Sequence, residues 1–261
     1  MLSPYIQSFW RLQVPDGLPG PYTEEILPDG HHEVIFHLNT APARKRQGSN
    51  HWHADPGVFF SGQSKKSYTL QLHPGAIIYG IRFHPHTQAL FYPFPACLST
   101  DTLIPFADVT ANDDLSACID ACAHTTFTRL EKEYCKKAAR LQSPTDSFHY
   151  VDAAVRRIVR QKGDASMALL EKITGVTARH IEKSFQQYVG VSPKQFCHIV
   201  KYNYFIQYRK SHPQKSLTEC AYEGSFCDQS HLIRLSHLIT GQSPKTYFGK
   251  PHYINDFFLQ P

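Results

Sequence analysis

Apolar positions along the 261-residue chain change their period near residue 110. Before that point they come in short runs, Glu33–Leu38, Val58–Ser61, Tyr68–Leu72 and Ile77–Phe83. Turn-forming residues separate the runs, at Pro28-Asp29-Gly30, Asp55-Pro56-Gly57 and Pro74-Gly75. Runs of this length, rich in aromatic and β-branched side chains, predict the strands of a β-sandwich or barrel. From Ala111 to Leu141 there is no Pro or Gly, and Leu115, Ile119, Cys122, Phe127, Leu130 and Tyr134 recur at helical intervals. One or two helices are expected there. A polar, Pro-containing stretch from Gln142 to Ser147 reads as a linker. Beyond it the pattern is helical almost to Lys250, opening with a helix from Tyr150 that sets Val151, Val155, Ile158 and Val159 on one face. The expected fold is therefore α+β in two domains. Residues 1–142 form a β-sandwich or barrel-like domain with flanking helices, residues 143–149 a linker, and residues 150–261 an all-α domain.

The all-α domain repeats itself at an offset of 51 residues. Gly190-Val191-Ser192-Pro193-Lys194 returns as Gly241-Gln242-Ser243-Pro244-Lys245, and Thr177, Ile181 and Lys183 return as Asp228, Leu232 and Arg234. Several matches at one fixed offset mark a duplicated supersecondary unit. In each copy a short amphipathic helix, Met167–Ile173 or Leu217–Glu223, runs into a tight turn at Gly175-Val176 or Ser225-Phe226-Cys227. A side-chain oxygen, from Thr177 or Asp228, is placed to cap a second helix. That helix buries Ile181 and Phe185 in one copy, Leu232 and Leu235 in the other, and ends at a glycine suited to a left-handed exit, Gly190 or Gly241. Ser-Pro then opens the next helix, and Ser192 with Gln195 fits a capping box. This is the layout of a helix-turn-helix, twice.

Opposite the buried stripe of the first unit lie Arg179, Glu182, Lys183 and Gln186; in the second lie Gln229, Ser230, Ile233 and Arg234. Arg can pair with guanine, Gln with adenine and Glu with cytosine in a major groove. Between the units, Pro193 to Lys210 reads as one helix, about 27 Å long at 1.5 Å per residue. Such a spacer can set two recognition helices roughly one DNA turn, about 34 Å, apart, with DNA bending making up a small shortfall. Thr177, Lys194, Lys201, Lys210, Lys215 and Lys245 are candidate phosphate contacts. Charge agrees: residues 150–261 hold 15 Lys and Arg against 8 Asp and Glu, a balance of +7, and the remaining residues 12 against 14, a balance of −2. The basic excess thus sits wholly in the half expected to meet a polyanion.

The repeat resembles the AraC/XylS family of bacterial transcription regulators over about residues 150–250. The resemblance rests on Gly175-Val-Thr-Ala-Arg-His-Ile-Glu-Lys-Ser-Phe185 with Gly190-Val-Ser-Pro193, and on Ala221-Tyr-Glu-Gly-Ser-Phe-Cys-Asp-Gln-Ser-His231 with Gly241-Gln-Ser-Pro244. It implies base reading by Arg179, Glu182 and Lys183 and by Gln229, Ser230 and Arg234. Double-stranded DNA is the implied partner and RNA polymerase an indirect one. Three positions depart from the family pattern: Ser225 where glycine is usual, Ser236 where a core Phe is usual, and Glu171 where a small residue is usual. They leave the second unit expected to be the weaker reader. The N-terminal half resembles, more faintly, a β-rich sensor domain, through Tyr5-Ile-Gln-Ser-Phe-Trp10, Leu27-Pro-Asp-Gly30, Glu33-Val-Ile-Phe36, Ser61-Gly62-Gln63, and Gly80-Ile-Arg-Phe83 with Pro85. Binding of a small-molecule effector or homodimerisation is what that implies, without a choice between them.

A metal-dependent, cupin-like N-terminal domain, enzyme or metal sensor, is the rival reading. His31, His32, His37, His51, His53, His73, His84 and His86 are dense, and His51-x-His53 and His84-x-His86 have strand spacing that sets both rings on one face. Against it, no Glu follows either pair at the expected distance, and a proline separates His84 from His86. An RNA- or protein-binding module is a second rival, without a stacking platform to support it. The aromatics Trp10, Phe36, Trp52, Phe59 and Tyr79 are candidates to line an effector pocket. Seven cysteines without a C-x-x-C, no apolar run of about 18 residues, and an N-terminus without signal-peptide layout point to a cytoplasmic protein with reduced thiols. Cys118 and Cys122 are spaced to share a helix face. No cofactor, catalytic residue or membrane partner is expected.

Overall fold

The computed structural model describes residues 2–110, 115–224 and 226–259. Among the described residues, nine strands form two antiparallel sheets: β1 (Ile6–Gln13), β2 (Tyr22–Ile26), β3 (His32–His37), β4 (Ala43–Arg46), β5 (His53–Ala54), β6 (Val58–Ser61), β7 (Tyr68–Leu72), β8 (Ile77–Phe83) and β9 (Leu103–Pro105). One sheet runs β1-β8-β3-β6-β9, the other β2-β7-β4-β5. Short helices α1 (Gln88–Phe91) and α2 (Phe106–Val109), 3-10 turns at Ala96–Ser99 and Leu115–Cys118, and the long α3 (Ala123–Ala138) complete the N-terminal half.

The central strands β3, β6 and β8 of the five-stranded sheet are buried on both faces, which explains why they read as near-continuous apolar runs. Ile35, Phe59 and Ile78 pack with Leu70 and Leu72 of the other sheet. Their neighbours along the strands, Val34, Phe36, Phe60, Tyr79 and Ile81, pack on the opposite side with Leu130 and Tyr134 of α3. Full burial of each such side chain contributes about 1.5–3 kcal/mol. Gly80 lies opposite Trp10 in the β1–β8 ladder, and a Cβ there would sit 2.0 Å from the indole. A glycine is required for that close approach.

The C-terminal half consists of α4 (Asp146–Arg160), α5 (Met167–Thr174), α6 (Ala178–Tyr188), α7 (Pro193–Ser211), α8 (Leu217–Glu223), α9 (Gln229–Thr240), α10 (Pro244–Tyr247) and α11 (Tyr253–Phe258). It has two cores. Val151, Ile158, Leu170, Ile181, Phe185 and Phe196 make the first. Tyr202, Phe205, Leu232, Leu235, Ile239 and Tyr247 make the second, joined by Leu27 from the N-terminal half. Helix α7 contributes to both, so it is the beam on which the two units are mounted.

Several boundaries differ from those the sequence predicts. Helix α4 starts at Asp146, inside the expected linker, because the Thr145 side chain caps it by accepting from the Phe148 amide. Val159 is 50% exposed, off the buried stripe. Residues Ala111 to Asp114 of the expected helix lie outside the described residues; beyond them a 3-10 turn and α3 take its place. Cys118 ends that turn and Cys122 occupies the N-cap position of α3, so the pair does not share a helix face. Helix α11 has no counterpart in the sequence pattern. It leaves the α-helical half and docks on β2, where the buried Glu24 accepts from the Ile254 and Asn255 amides at 2.9 and 3.0 Å. Among the described residues no helix is long and apolar enough to cross a membrane.

Candidate nucleic-acid interface

Helix α5 is capped by Ser166, whose hydroxyl accepts from the Leu169 amide at 3.2 Å, and it exits through Gly175 at φ +73°. Helix α6 follows after two residues. Thr177 occupies its N-cap position but forms no side-chain cap. Glu171 replaces it from the preceding helix, its Oε1 accepting the Ala178 amide at 2.6 Å. A carboxylate at a helix N-terminus also opposes the helix dipole favourably. The residue that departs from the family pattern therefore ties the two helices of the first unit together. Ile181 and Phe185 are buried, and the chain leaves α6 through Gly190 at φ +88°.

The second unit has the same frame with other fastenings. Ser216 and Glu219 form a reciprocal capping box at the start of α8, and Asp228 caps α9 by accepting from the His231 amide at 2.6 Å. Gly241 ends α9 at φ +72°. Ser192 and Ser243, equivalent in the repeat, each cap the following helix at 3.2 Å. The capping box expected at Ser192 is thus present only as its hydroxyl half. Ser225 lies outside the described residues. Ser236 is fully buried, and its hydroxyl donates to the Gln242 carbonyl at 2.8 Å and meets the Tyr202 hydroxyl at 3.1 Å. Polar pairing with Tyr202 of α7 stands where the family pattern has an aromatic ring.

Arg179, Glu182, Lys183 and Gln186 on α6 are all exposed, as are Gln229, Ser230, Ile233 and Arg234 on α9. Gln229 also accepts from the Thr218 hydroxyl at 3.2 Å, which ties its carboxamide to α8. Thr177, Lys194 and Lys245 are exposed too. Lys201 is not available to phosphate. It is buried at 8% exposure, with its Nζ 3.0 Å from the Asp164 carboxylate. Its position on the inner side of α7, facing the turn after α4, puts it there. Lys210 pairs with Asp256 and Lys215 with the Tyr208 hydroxyl.

In the N-terminal half, Trp10 and Phe59 line a cavity of about 70 Å³ between the sheets. Phe36 and Tyr79 lie on the far side of the five-stranded sheet, and Trp52 is 39% exposed, so these three do not line it. Ile254 and Phe258 of α11 line the cavity as well. The Phe258 ring lies 4.9 Å from Trp10 and 4.1 Å from the Arg82 guanidinium. Arg82 is buried and bonded to Asp29 and, at 2.8 Å, to Glu33, which also accepts from the Trp10 indole at 2.9 Å. Burial raises the Asp29 carboxyl most strongly, but the Arg82 charge and the contacts with His31 together outweigh it and hold the group well below the usual carboxylate range. For Glu33 burial wins and the pKa goes up. Arg44 is likewise matched to Asp55, through two contacts of 2.5 Å. A larger cleft of about 830 Å³ lies between the two halves of the chain, walled by His31, His84 and His86 on one side and Val159, Arg160 and Tyr204 on the other.

His86 pairs with Asp152 at 3.0 Å, His84 with the Ser3 carbonyl at 2.9 Å, and His51 and His53 are exposed. Among the described residues no three His, Cys, Asp or Glu side chains come together to hold a metal.

Two helix-turn-helix units on a shared rigid helix, each with a polar outward face, define a DNA-binding protein. Residues 170–250 match a family described as a helix-turn-helix domain, and residues 1–105 a domain of unknown function, DUF6597. The C-terminal half is an AraC-type helix-turn-helix domain, and the protein is a DNA-binding transcription regulator. No curated protein matches the chain. Among solved structures, ToxT from Vibrio cholerae aligns over 93% of this chain and 97% of its own, at 11% identity and a TM-score of 0.47. ToxT from Vibrio cholerae O395 aligns over 97% and 96%, at 11% identity and a TM-score of 0.44. An unsaturated fatty acid bound ToxT from strain SCE256 aligns over 93% and 95%, at 10% identity and a TM-score of 0.47. At that level of likeness no property passes from them to this chain.

Proposed function

We propose that this protein reads a specific DNA sequence with both recognition helices and that its N-terminal half controls the reading in response to a small molecule. The observation that carries the first claim is the duplicated outward face: the equivalent faces of α6 and α9 present Arg179, Glu182 and Lys183, and Gln229, Ser230 and Arg234, to solvent. These are the side chains with donor and acceptor patterns that match base edges. Ile233 among them offers an apolar surface suited to a thymine methyl. Thr177, Lys194 and Lys245 take the flanking phosphates. For the second claim, the support is a cleft within the usual size of ligand sites, between the sensor half and the DNA-binding half. The sandwich cavity, at about 70 Å³, is smaller than the usual ligand site, and Phe258 of α11 lines it. Its arginines are already neutralised by Asp29, Glu33 and Asp55, so it favours an uncharged ligand over an anion. RNA polymerase is the onward partner of such a regulator, and the mass of the DNA complex tells one bound copy from two.

Selection from a random DNA pool with the purified full chain tests this reading. Enrichment of one motif with two base-specified segments supports it. Binding without any enriched sequence overturns it.

A further inference from the structure

The repeat that builds the two DNA-reading units also offers the N-terminal half a pair of equivalent handles. In the first unit the chain leaves α6 through Val189 and Gly190. Buried His32 donates from Nε2 to the Val189 carbonyl at 2.9 Å, and the Thr100 hydroxyl donates to the Gly190 carbonyl at 2.7 Å. In the second unit, 51 residues on, the exit from α9 runs through Ile239 to Gln242. There the Ser67 amide donates to the Ile239 carbonyl at 2.8 Å, and the Gln242 carboxamide donates to Glu25. Ser67 and Glu25 are themselves joined, hydroxyl to carboxylate, at 2.5 Å.

The chemistry suits the place. The last carbonyls of a helix lack intrahelical partners and carry the negative end of its dipole, so they attract donors. Two of these four bonds, to Val189 and Ile239, bring a donor to such a carbonyl, and Thr100 bonds the next carbonyl after the α6 cap. The approach is close: a Cβ on Gly190 would lie 2.7 Å from the Thr100 hydroxyl and 2.9 Å from the Ala96 carbonyl. Gly190 is thus required for its positive φ and also for room.

We propose that His32 with Thr100, and Ser67 with Glu25, are positioning residues that fix the spacing and phase of the two recognition helices relative to each other. The inference rests on the DNA-binding reading above. Helix α7 alone joins the units as a single beam, which leaves each free to roll about its own attachment. A second body fastened to both exits braces them. The same residues sit beside the cavity. Glu25 precedes Ile26, Ser67 precedes Tyr68, and His32 lies between His31 and Glu33, all of which line it. Successive strand residues face opposite ways, so in β3 Glu33 faces the cavity and His32 a handle, and in β2 Ile26 faces the cavity and Glu25 the other handle. Expansion of the cavity is therefore felt at both handles.

The test uses the full chain and the DNA motif it selects, with base pairs inserted one at a time between the two half-elements. Wild-type affinity is expected to fall about tenfold when about 5 base pairs, half a helical turn, are inserted. In Thr100→Val and in Glu25→Ala that loss shrinks to about threefold or less, while affinity for a single half-element stays within about twofold. Thr100→Ser, which keeps the hydroxyl, restores the wild-type profile. Should Glu25→Ala not fold, Gln242→Ala opens the same contact from the other side. An unchanged spacing profile in folded Thr100→Val and Gln242→Ala overturns the proposal and leaves the DNA-binding reading intact. Failure of the wild type to select any motif overturns that reading instead.

Discussion

Glu171 accepts the Ala178 amide at 2.6 Å across the turn between α5 and α6. A side chain from the first helix of the unit therefore caps the second, where the residue at the cap position, Thr177, does not. Loss of an N-cap costs about 1 kcal/mol. Glu171→Ala is expected to lower the midpoint of thermal unfolding accordingly and to weaken DNA binding by the first unit. Thr177→Ala should leave the midpoint nearly unchanged. Equal destabilisation by both substitutions would assign the cap to Thr177 after all.

Base and phosphate contacts separate by their response to sequence. Arg179→Ala and Arg234→Ala are each expected to cost about 1–3 kcal/mol on the selected motif and to relax preference at one base position. Loss of equal size on every sequence would mark those arginines as backbone contacts.

Salt dependence distinguishes the lysines. Lys194→Ala should reduce the slope of log affinity against log salt by about 1. Lys201→Gln should leave the slope as it is, because its ammonium is turned inward to Asp164. A reduced slope in Lys201→Gln would place that side chain on the DNA.

Acid should loosen the contact between the two halves of the chain. Burial pushes the His32 imidazole down from its usual value, against its contacts with Val189 and Gln88; the nearby His31 adds to the lowering and Asp29 opposes it. Above about pH 6.5, the ordinary value, the ring is neutral whether docked or not, so docking is unaffected. Below it the free ring takes a proton that the docked ring refuses, and docking weakens as pH falls. His37, pushed down to about 4 by burial, has the same sign. Glu33, raised by burial, has the opposite sign, so the comparison that isolates the histidine is with His32→Gln. Wild type should lose more thermal stability between pH 7 and pH 5 than His32→Gln does. Parallel curves would remove His32 from the explanation.

Phe258 of α11 lines the sandwich cavity and packs on Trp10. Phe258→Ala is expected to cost about 1–3 kcal/mol in lost burial and cation–π contact. It should also shift the fluorescence of Trp10, against which the ring packs at 4.9 Å. Unaltered emission, with the other tryptophan replaced, would show that Phe258 does not pack on Trp10.

The sequence by itself determined the local elements and the repeat. Val58–Ser61, Tyr68–Leu72, Ile77–Phe83 and Leu217–Glu223 are observed at the predicted residues, because apolar period and turn chemistry act over a few neighbouring residues. The same holds for Gly190 and Gly241, whose positive φ follows from where each helix must stop. Strands β1, β2 and β4 are less legible, since they mix charged and polar residues with few apolar ones and acquire their pairing from partners far along the chain. Which surface residues are free was decided only in three dimensions. Lys201 reads like any other helix lysine until the turn at Asp164 folds over it. Glu171 reads as a misfit until its carboxylate meets the Ala178 amide. The docking of α11 on Glu24, and of both helix exits on His32, Thr100, Ser67 and Glu25, joins residues up to about 230 positions apart. Such contacts depend on the shape of two surfaces after each has folded, and no local pattern encodes that.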